Sequence, residues 1–306
     1  MSFAFYTHPA CLAHDPGAGH PECPARLEAV IEALKAAYPD QPWREAPQAL
    51  RSQLARVHDD ALIATVLDTP LDGTRRLDPD TVMSAHSREA ALRAAGAGVA
   101  AVDTVLRGDL RRAFCAVRPP GHHATADTAM GFCLFNAAAV AAVHALDAHG
   151  LQRVAVVDFD VHHGNGTQAI LEREPRAMYV SSHQWPLYPG TGAREERGVG
   201  NIVNAPLPPL SGGREFRRIW AELLLPALDA FRPQLLLVSA GFDAHRLDPL
   251  ADLNLEAEDY AWLSAKLVQL ARCHAGGRLV SLLEGGYSLA ALRESSVAHV
   301  GALLAD

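Results

Sequence analysis

Six short hydrophobic runs punctuate the chain, at residues 3–7, 113–117, 153–160, 177–182, 234–241 and 278–286. They read FAFYT, AFCAV, RVAVVDFD, AMYVSS, QLLLVSAG and RLVSLLEGG, nearly continuous rather than alternating with polar residues. A strand buried on both faces needs apolar side chains pointing both ways, so this pattern predicts parallel strands covered by helices. Between the runs lie longer alanine- and leucine-rich stretches with helical spacing, at about 24–37, 88–107, 135–149, 213–231, 255–272 and 288–304. Strand–helix alternation of this kind predicts an α/β fold, a mainly parallel sheet flanked by helices, with the site at the carboxyl ends of the strands. No internal repeat or Pro/Gly/Ser linker divides the chain, so residues 1–306 are read as one domain. The turn-rich stretch 183–214 is embedded between elements and reads as a long functional loop.

Composition narrows the class. Apolar residues make up 49% and charged residues 20%, the mix of an ordinary globular protein. Only Lys35 and Lys266 are lysines, a bias of composition rather than of function. A net charge of −8 argues against a nucleic-acid partner, which normally requires a basic face. The five cysteines (Cys11, Cys23, Cys115, Cys133 and Cys273) are scattered without a CxxC pair, which fits a reducing compartment. The N-terminus shows no signal-peptide pattern, and no apolar run is long enough for a membrane span, so a cytoplasmic location is expected.

The polar residues that break this pattern gather at the ends of four strand runs. The run 153–160 leads into DFDVHHGNG, 234–241 into FDAHRLDP, 278–286 into GGYSL, and 113–117 into RPPGHH. In an extended strand Asp158, Asp160 and His162 share a side. Three such groups after a hydrophobic run are costly unless something pairs their charge, and a divalent cation does so. Asp243 ends a second apolar run in the same manner. A set of two carboxylates and an imidazole leaves a coordination position for water, which suits a catalytic rather than a structural zinc. His122 and His123 follow a stiff Arg-Pro-Pro-Gly turn and suit general acid–base work. Tyr287, after two glycines, could present its hydroxyl to a developing oxyanion.

The motifs HPECPARL (20–27), RPPGHHA (118–124), GFCLFN (131–136), VDFDVHHGNGTQ (157–168), YPGTG (188–192), SAGFDAHRLDPL (239–250) and LEGGYSL (283–289) resemble, in order, the signature set of the histone-deacetylase family. That family also holds bacterial deacetylases, acetylpolyamine amidohydrolases and acetoin-utilisation proteins. The resemblance implies an arginase/deacetylase-like fold and zinc-dependent hydrolysis of an acyl-amide. Asp160, His162 and Asp243 would be the zinc ligands. His122 would be the buried histidine, supported by Asp158, and His123 the more exposed one of the pair, acting as general base, with Asn165 behind it. Asn165 stands where some members carry an aspartate, so His123 is expected to be less basic. Tyr287 would polarise the acyl carbonyl. Gly131, Phe132, Tyr188 and Leu250 would line a narrow tunnel. Asp158, Asp160 and His162 with Ser181 and Ser182 resemble a potassium site, and Arg26 and Asn136 match structural positions. Leu250 sits where polyamine-selective members tend to carry an acid, which favours acyl-lysine over a polycation. An acylated lysine peptide or a small acylated amine is the expected partner; a homo-oligomer, and iron(II) in place of zinc, stay open.

Three other readings compete: a small-metabolite amidohydrolase, a non-catalytic binder of acylated ligands, and a two-metal ureohydrolase of related fold. His144, His149, His274 and His299 are read as surface or packing residues, and His163 as structural. His20 and His183 either line the mouth or serve the structure.

Overall fold

Residues 2–305 are described by the structure, a computed structural model of the chain. The strands are β1 (Phe3–Thr7), β2 (Trp43–Glu45), the small hairpin β3 (Arg75–Arg76) and β4 (Val82–Met83), β5 (Arg112–Cys115), β6 (Val154–Asp158), β7 (Ala177–Gln184), β8 (Ile202–Leu207), β9 (Leu235–Ala240) and β10 (Leu279–Leu283). All but β3 and β4 join one sheet of eight parallel strands in the order β2-β1-β5-β10-β9-β6-β7-β8. The helices are α1 (Pro9–Ala13), α2 (Pro24–Ala37), α3 (Arg51–Leu54), α4 (Asp60–Leu67), α5 (Ser87–Arg107), α6 (Ala137–Asp147), α7 (Asn165–Leu171), α8 (Gly213–Ile219), α9 (Leu225–Phe231), α10 (Ala257–His274) and α11 (Leu289–Leu304). Helices α5 and α6 pack together against the sheet, and α2, α10 and α11 form a second packed group. The chain is thus a single α/β domain with a parallel sheet flanked by helices.

The hydrophobic runs form strands because both faces are covered. Every residue of β5, β6, β9 and β10 is buried. Burying each of Val154, Val156 and Val157 completely contributes about 1.5–3 kcal/mol. Strand β2, the β3/β4 hairpin and the short helices α1, α3, α4 and α7 were not expected, and three further departures have a local cause. Strand β6 stops at Asp158 rather than 160, because Asp158 Oδ1 accepts the Asp160 N–H (3.1 Å) and turns the chain out of the sheet. The stretch 183–214 is not all loop: it contains β8, an edge strand whose Asn204 and Pro206 disguise it, since proline is tolerated where no ladder bond is needed. The expected helix 213–231 is broken by a π-helical turn, Trp220–Leu224, just before Pro226, which has no N–H to donate.

All five cysteines are free thiols. Among the described residues, no helix is long and apolar enough to cross a membrane.

Candidate active site

After β6 the chain continues to β7 on one side, and after β9 to β10 on the other, so the β6/β9 crevice is where the winding reverses. Ligands bind at such switch points, beyond the carboxyl ends of the strands. Four neighbouring strands, β5, β10, β9 and β6, deliver their following segments there: His122 and His123 after β5, Tyr287 after β10, Asp243 after β9, and Asp160 and His162 after β6.

One ligand-capable atom from each of Asp160, His162 and Asp243 lies within 4.8 Å of the others. His162 Nδ1 is 3.2 Å from both Asp160 Oδ1 and Asp243 Oδ2. The outer carboxylate oxygens are held by backbone: Gly285 N–H donates to Asp160 Oδ2 and Val161 N–H to Asp243 Oδ1, each at 2.8 Å. The approach is close enough to demand glycine. A Cβ on Gly241 would lie 2.0 Å from Asp160 Oδ2, and one on Gly285 2.1 Å from Asp243 Oδ2. Burial, with Asp160 beside it, pushes the Asp243 carboxyl up to about 7. Burial alone would lower the His162 imidazole, yet bonds to Asp160 and Asp243 push it up to about 10. The cluster therefore draws positive charge, and two acids with one imidazole fit a divalent cation. Asp158 does not join them. Its Oδ2 instead meets His122 Nδ1 and the Tyr179 hydroxyl, each at 3.0 Å.

The two adjacent histidines are held differently. The Glu284 carboxylate accepts the N–H groups of Gly121 (2.6 Å) and His122 (3.2 Å), fixing the turn that carries them. Burial itself penalises the charged form of both rings. For His122 the carboxylates of Asp160 and Asp158 outweigh burial and hold its pKa well above the usual value. For His123 burial, reinforced by His122 and His162, pushes it well below. Its Nδ1 lies 2.8 Å from Asn165 Oδ1, which fixes the Nδ1–H tautomer and leaves Nε2 free to accept a proton. Neighbouring groups pushed apart in pKa are the usual mark of an acid–base pair.

A cavity of about 250 Å³ opens above these groups, lined by Pro21, Asp80, His123, Gly131, Phe132, His162, Leu187, Tyr188, Leu250 and Tyr287. The Tyr188 ring meets His123 edge-on at 5.1 Å, and Phe132 meets Tyr287 at 5.8 Å. Phe132 has a φ of 68°, rare for a large side chain, held by Thr81 Oγ1 on its N–H (2.9 Å). Burial, only partly offset by Arg26, keeps the Tyr287 hydroxyl protonated far above the usual range, so it is an O–H donor. The Arg26 guanidinium lies 4.8 Å over the Tyr287 ring and donates to the carbonyls of Gly286 (2.5 Å) and Glu284 (2.6 Å).

The pocket thus gathers Gly131, Phe132, Tyr188, Leu250, His123, His162 and Tyr287, with Asp160, Asp243, His122 and Asn165 bonded or packed beside its lining. Ser181 and Ser182 lie away from it, in β7. Ser181 pairs with Asp158 in the ladder and bonds His183 Nδ1 (2.9 Å), while Ser182 Oγ accepts the Trp220 indole N–H (3.0 Å). Asn136 caps α6 and donates to the carbonyl of Ala124 (3.2 Å). His20 reaches the mouth, edge-on to Phe132 at 4.9 Å, whereas His183 is buried. Sequence reasoning missed Glu284, Asp80 and a buried knot in which Glu22 pairs with both Arg26 (2.8 Å) and Arg118. Glu22, Arg118 and Glu284 belong to the quoted motifs, but their work is on backbone and on other side chains, which spacing does not reveal.

Residues 20–303 match the family model of the histone deacetylase domain. The chain is 41% identical over 285 residues to a histone deacetylase-like amidohydrolase of Pseudomonas aeruginosa, covering 92% of this chain and 74% of that one. It is 37% identical over 308 residues to the polyamine deacetylase HDAC10 of Homo sapiens, covering 94% of this chain but 45% of that one. The crystal structure of the HDA15 HD domain superposes with a TM-score of 0.94 at 36% identity, covering 99% of this chain and 88% of that chain. With residues 20–303 matching the family model and nearly the whole length superposing on the HDA15 HD domain, the chain belongs to the histone deacetylase family of hydrolases.

Proposed function

We propose that the protein is a zinc-dependent deacylase that hydrolyses the acyl-amide of an acylated lysine side chain. The observation that carries this reading is the convergence of Asp160, His162 and Asp243 beneath a pocket also lined by His123 and Tyr287. Asp160, His162 and Asp243 hold one zinc ion, which when bound polarises a carbonyl and lowers the pKa of water. His123, neutral and with Nε2 free, accepts the proton of the attacking water. Tyr287 donates its O–H to the oxygen on which negative charge develops. His122, kept charged by Asp158 and Asp160, stabilises that charge, and a protonated histidine of the pair returns a proton to the leaving amine. Gly131, Phe132, Tyr188 and Leu250 enclose the chain of the acylated amine and exclude water. A structural potassium ion held around Asp158, Asp160, His162, Ser181 and Ser182 belongs to the same reading, as does one catalytic domain over residues 1–306.

A small acylated polyamine is the second reading, favoured by the HDAC10 relative and by the acidic Asp80 in the pocket wall. The apolar Leu250 favours acyl-lysine. Hydrolysis of acetyl-lysine peptides and of acetylated polyamines by the zinc-loaded protein, side by side, separates the two. Turnover of neither, with one zinc bound, would sink both.

A further inference from the structure

The wall that carries Tyr188 is tied down from behind. Residues 185–192 bulge from the end of β7, and Tyr188 is 39% exposed, so its edge contact with His123 covers only part of the ring. Beyond it, Thr191 Oγ1 lies 2.8 Å from His163 Nδ1, and His163 Nε2 lies 2.9 Å from Gln168 Oε1. Gln168 Oε1 also accepts from Asn204 Nδ2 (2.8 Å), while Gln168 Nε2 donates to Glu196 Oε2 (2.5 Å). Glu196 closes the circuit by accepting the N–H groups of Gly192 (3.1 Å) and Ala193 (2.9 Å). Every proton in the chain has an assigned place: the Thr191 hydroxyl donates to Nδ1, and Nε2–H donates to Gln168. Gly192, at φ +92°, lets the backbone press on the histidines, since a Cβ there would sit 2.5 Å from His183 Nε2. Gln168 and Asn165 both lie on α7, so one helix positions the His123 partner and the Tyr188 wall together.

We propose that Glu196, Gln168, His163 and Thr191 form a strap that fixes the Tyr188 wall and so sets how tightly the pocket grips the acylated chain. The strap acts on binding, because none of its atoms meets the reacting groups. The inference rests on the deacylase reading for its substrate, though not for the strap itself. Positioning residues act through sub-ångström placement, so loosening them weakens substrate contacts that are equal in ground and transition states.

The test uses the zinc-loaded full chain and an Nε-acetyl-lysine peptide as probe. Glu196→Ala and Thr191→Val should each raise KM about fivefold with kcat held within about twofold. Glu196→Gln keeps a carbonyl for Gly192 and Ala193 but turns an NH2 toward the Gln168 Nε2–H, so it should raise KM by less than Glu196→Ala, about twofold. In parallel, amide exchange over residues 187–193 should quicken about tenfold in Glu196→Ala while β6 is unchanged. A fall in kcat at constant KM, or equal behaviour of the Gln and Ala variants, overturns the proposal. If the wild type cleaves no acetyl-lysine peptide, the deacylase reading fails on its own. The exchange experiment then decides the strap alone, and unchanged exchange rejects it.

Discussion

Asp160, His162 and Asp243 at the carboxyl edge of the sheet, and Asp103, His144 and His149 beside the α5/α6 contact, are the two places among the described residues where carboxylates and imidazoles converge closely enough to share an ion. They differ in what surrounds them. In the second cluster Arg56 Nη1 donates to His144 Nδ1 (3.0 Å), which forces the ring proton onto Nε2. That Nε2–H, and the one on His149, both donate to Asp103 Oδ1, at 2.8 and 2.7 Å. Protons already fill the space between the donors, so the cluster is a hydrogen-bonded knot of two helices. In the first cluster two carboxylates face one imidazole, so even a proton on His162 leaves negative charge for a cation to take; the Asp160 inner oxygen also accepts the His162 backbone N–H (2.9 Å). Residue types alone do not make a metal centre. The ratio of carboxylates to imidazoles and the groups bonded behind them decide how much negative charge is left for an ion.

Asp243→Asn tests the contrast most severely. It should reduce bound zinc from one per chain to nearly none and abolish turnover, whereas Asp103→Asn should leave both unchanged; plasma mass spectrometry with an activity assay reads each. Loss of an equivalent of metal from the Asp103 variant would break the comparison. Next in size, Tyr287→Phe should lower kcat about 10²–10³-fold, roughly 2.7–4 kcal/mol in barrier, at full metal content. A smaller loss would mean that the hydroxyl does not meet the developing charge.

The pH dependence sharpens the comparison further. His123 must be neutral to accept a proton, and its pKa is held well below the ordinary 6.5. Turnover should therefore persist as pH falls through 6.5 and decline only at lower pH; a kcat/KM profile that halves near 6.5 argues against His123 as base. Buried neutral histidines limit the fold itself in the same direction. Burial lowers His58 to about 4, so its contribution is present above the unfolded value near 6.5 and is lost as pH falls. By pH 4 this single residue costs roughly 3 kcal/mol, visible as a falling urea midpoint. A midpoint unchanged between pH 7 and 4 contradicts this.

The smallest effect belongs to the surface knot. Partial burial opposes it, but the bonds from His144 and His149 hold the Asp103 carboxyl below its usual range. Asp103→Asn should cost about 0.5–1 kcal/mol near neutrality, a difference that fades as pH drops below about 4 in both proteins. A loss of several kcal/mol would mean that the knot is a core element.

Much of this was readable from the chain. The runs at 153–160 and 234–241 announced their strands, because continuous burial demands continuous apolarity. Asp160, His162 and Asp243 stood out because acids rarely follow such runs. The pairing of Asp158 with His122 was expected from the family resemblance alone, since alternation grouped Asp158 with Asp160 and His162. Alternation holds only while the strand lasts, and β6 ends at Asp158. Strand β8 was hidden because an edge strand with one neighbour tolerates polar residues and proline. Glu284 escaped notice because its role is to hold two backbone N–H groups 163 and 162 residues away.

The sequence by itself determined the winding, the family and the inventory of reactive groups, since these follow from periodicity and from local residue types. Only the tertiary structure decided which of two adjacent imidazoles is favoured in its charged form, which of two Asp–His clusters keeps an excess of carboxylate, and how Tyr188 is held. Those outcomes depend on Coulomb and hydrogen-bond energies that vary over a few ångströms, and folding alone brings residues dozens of positions apart within that range.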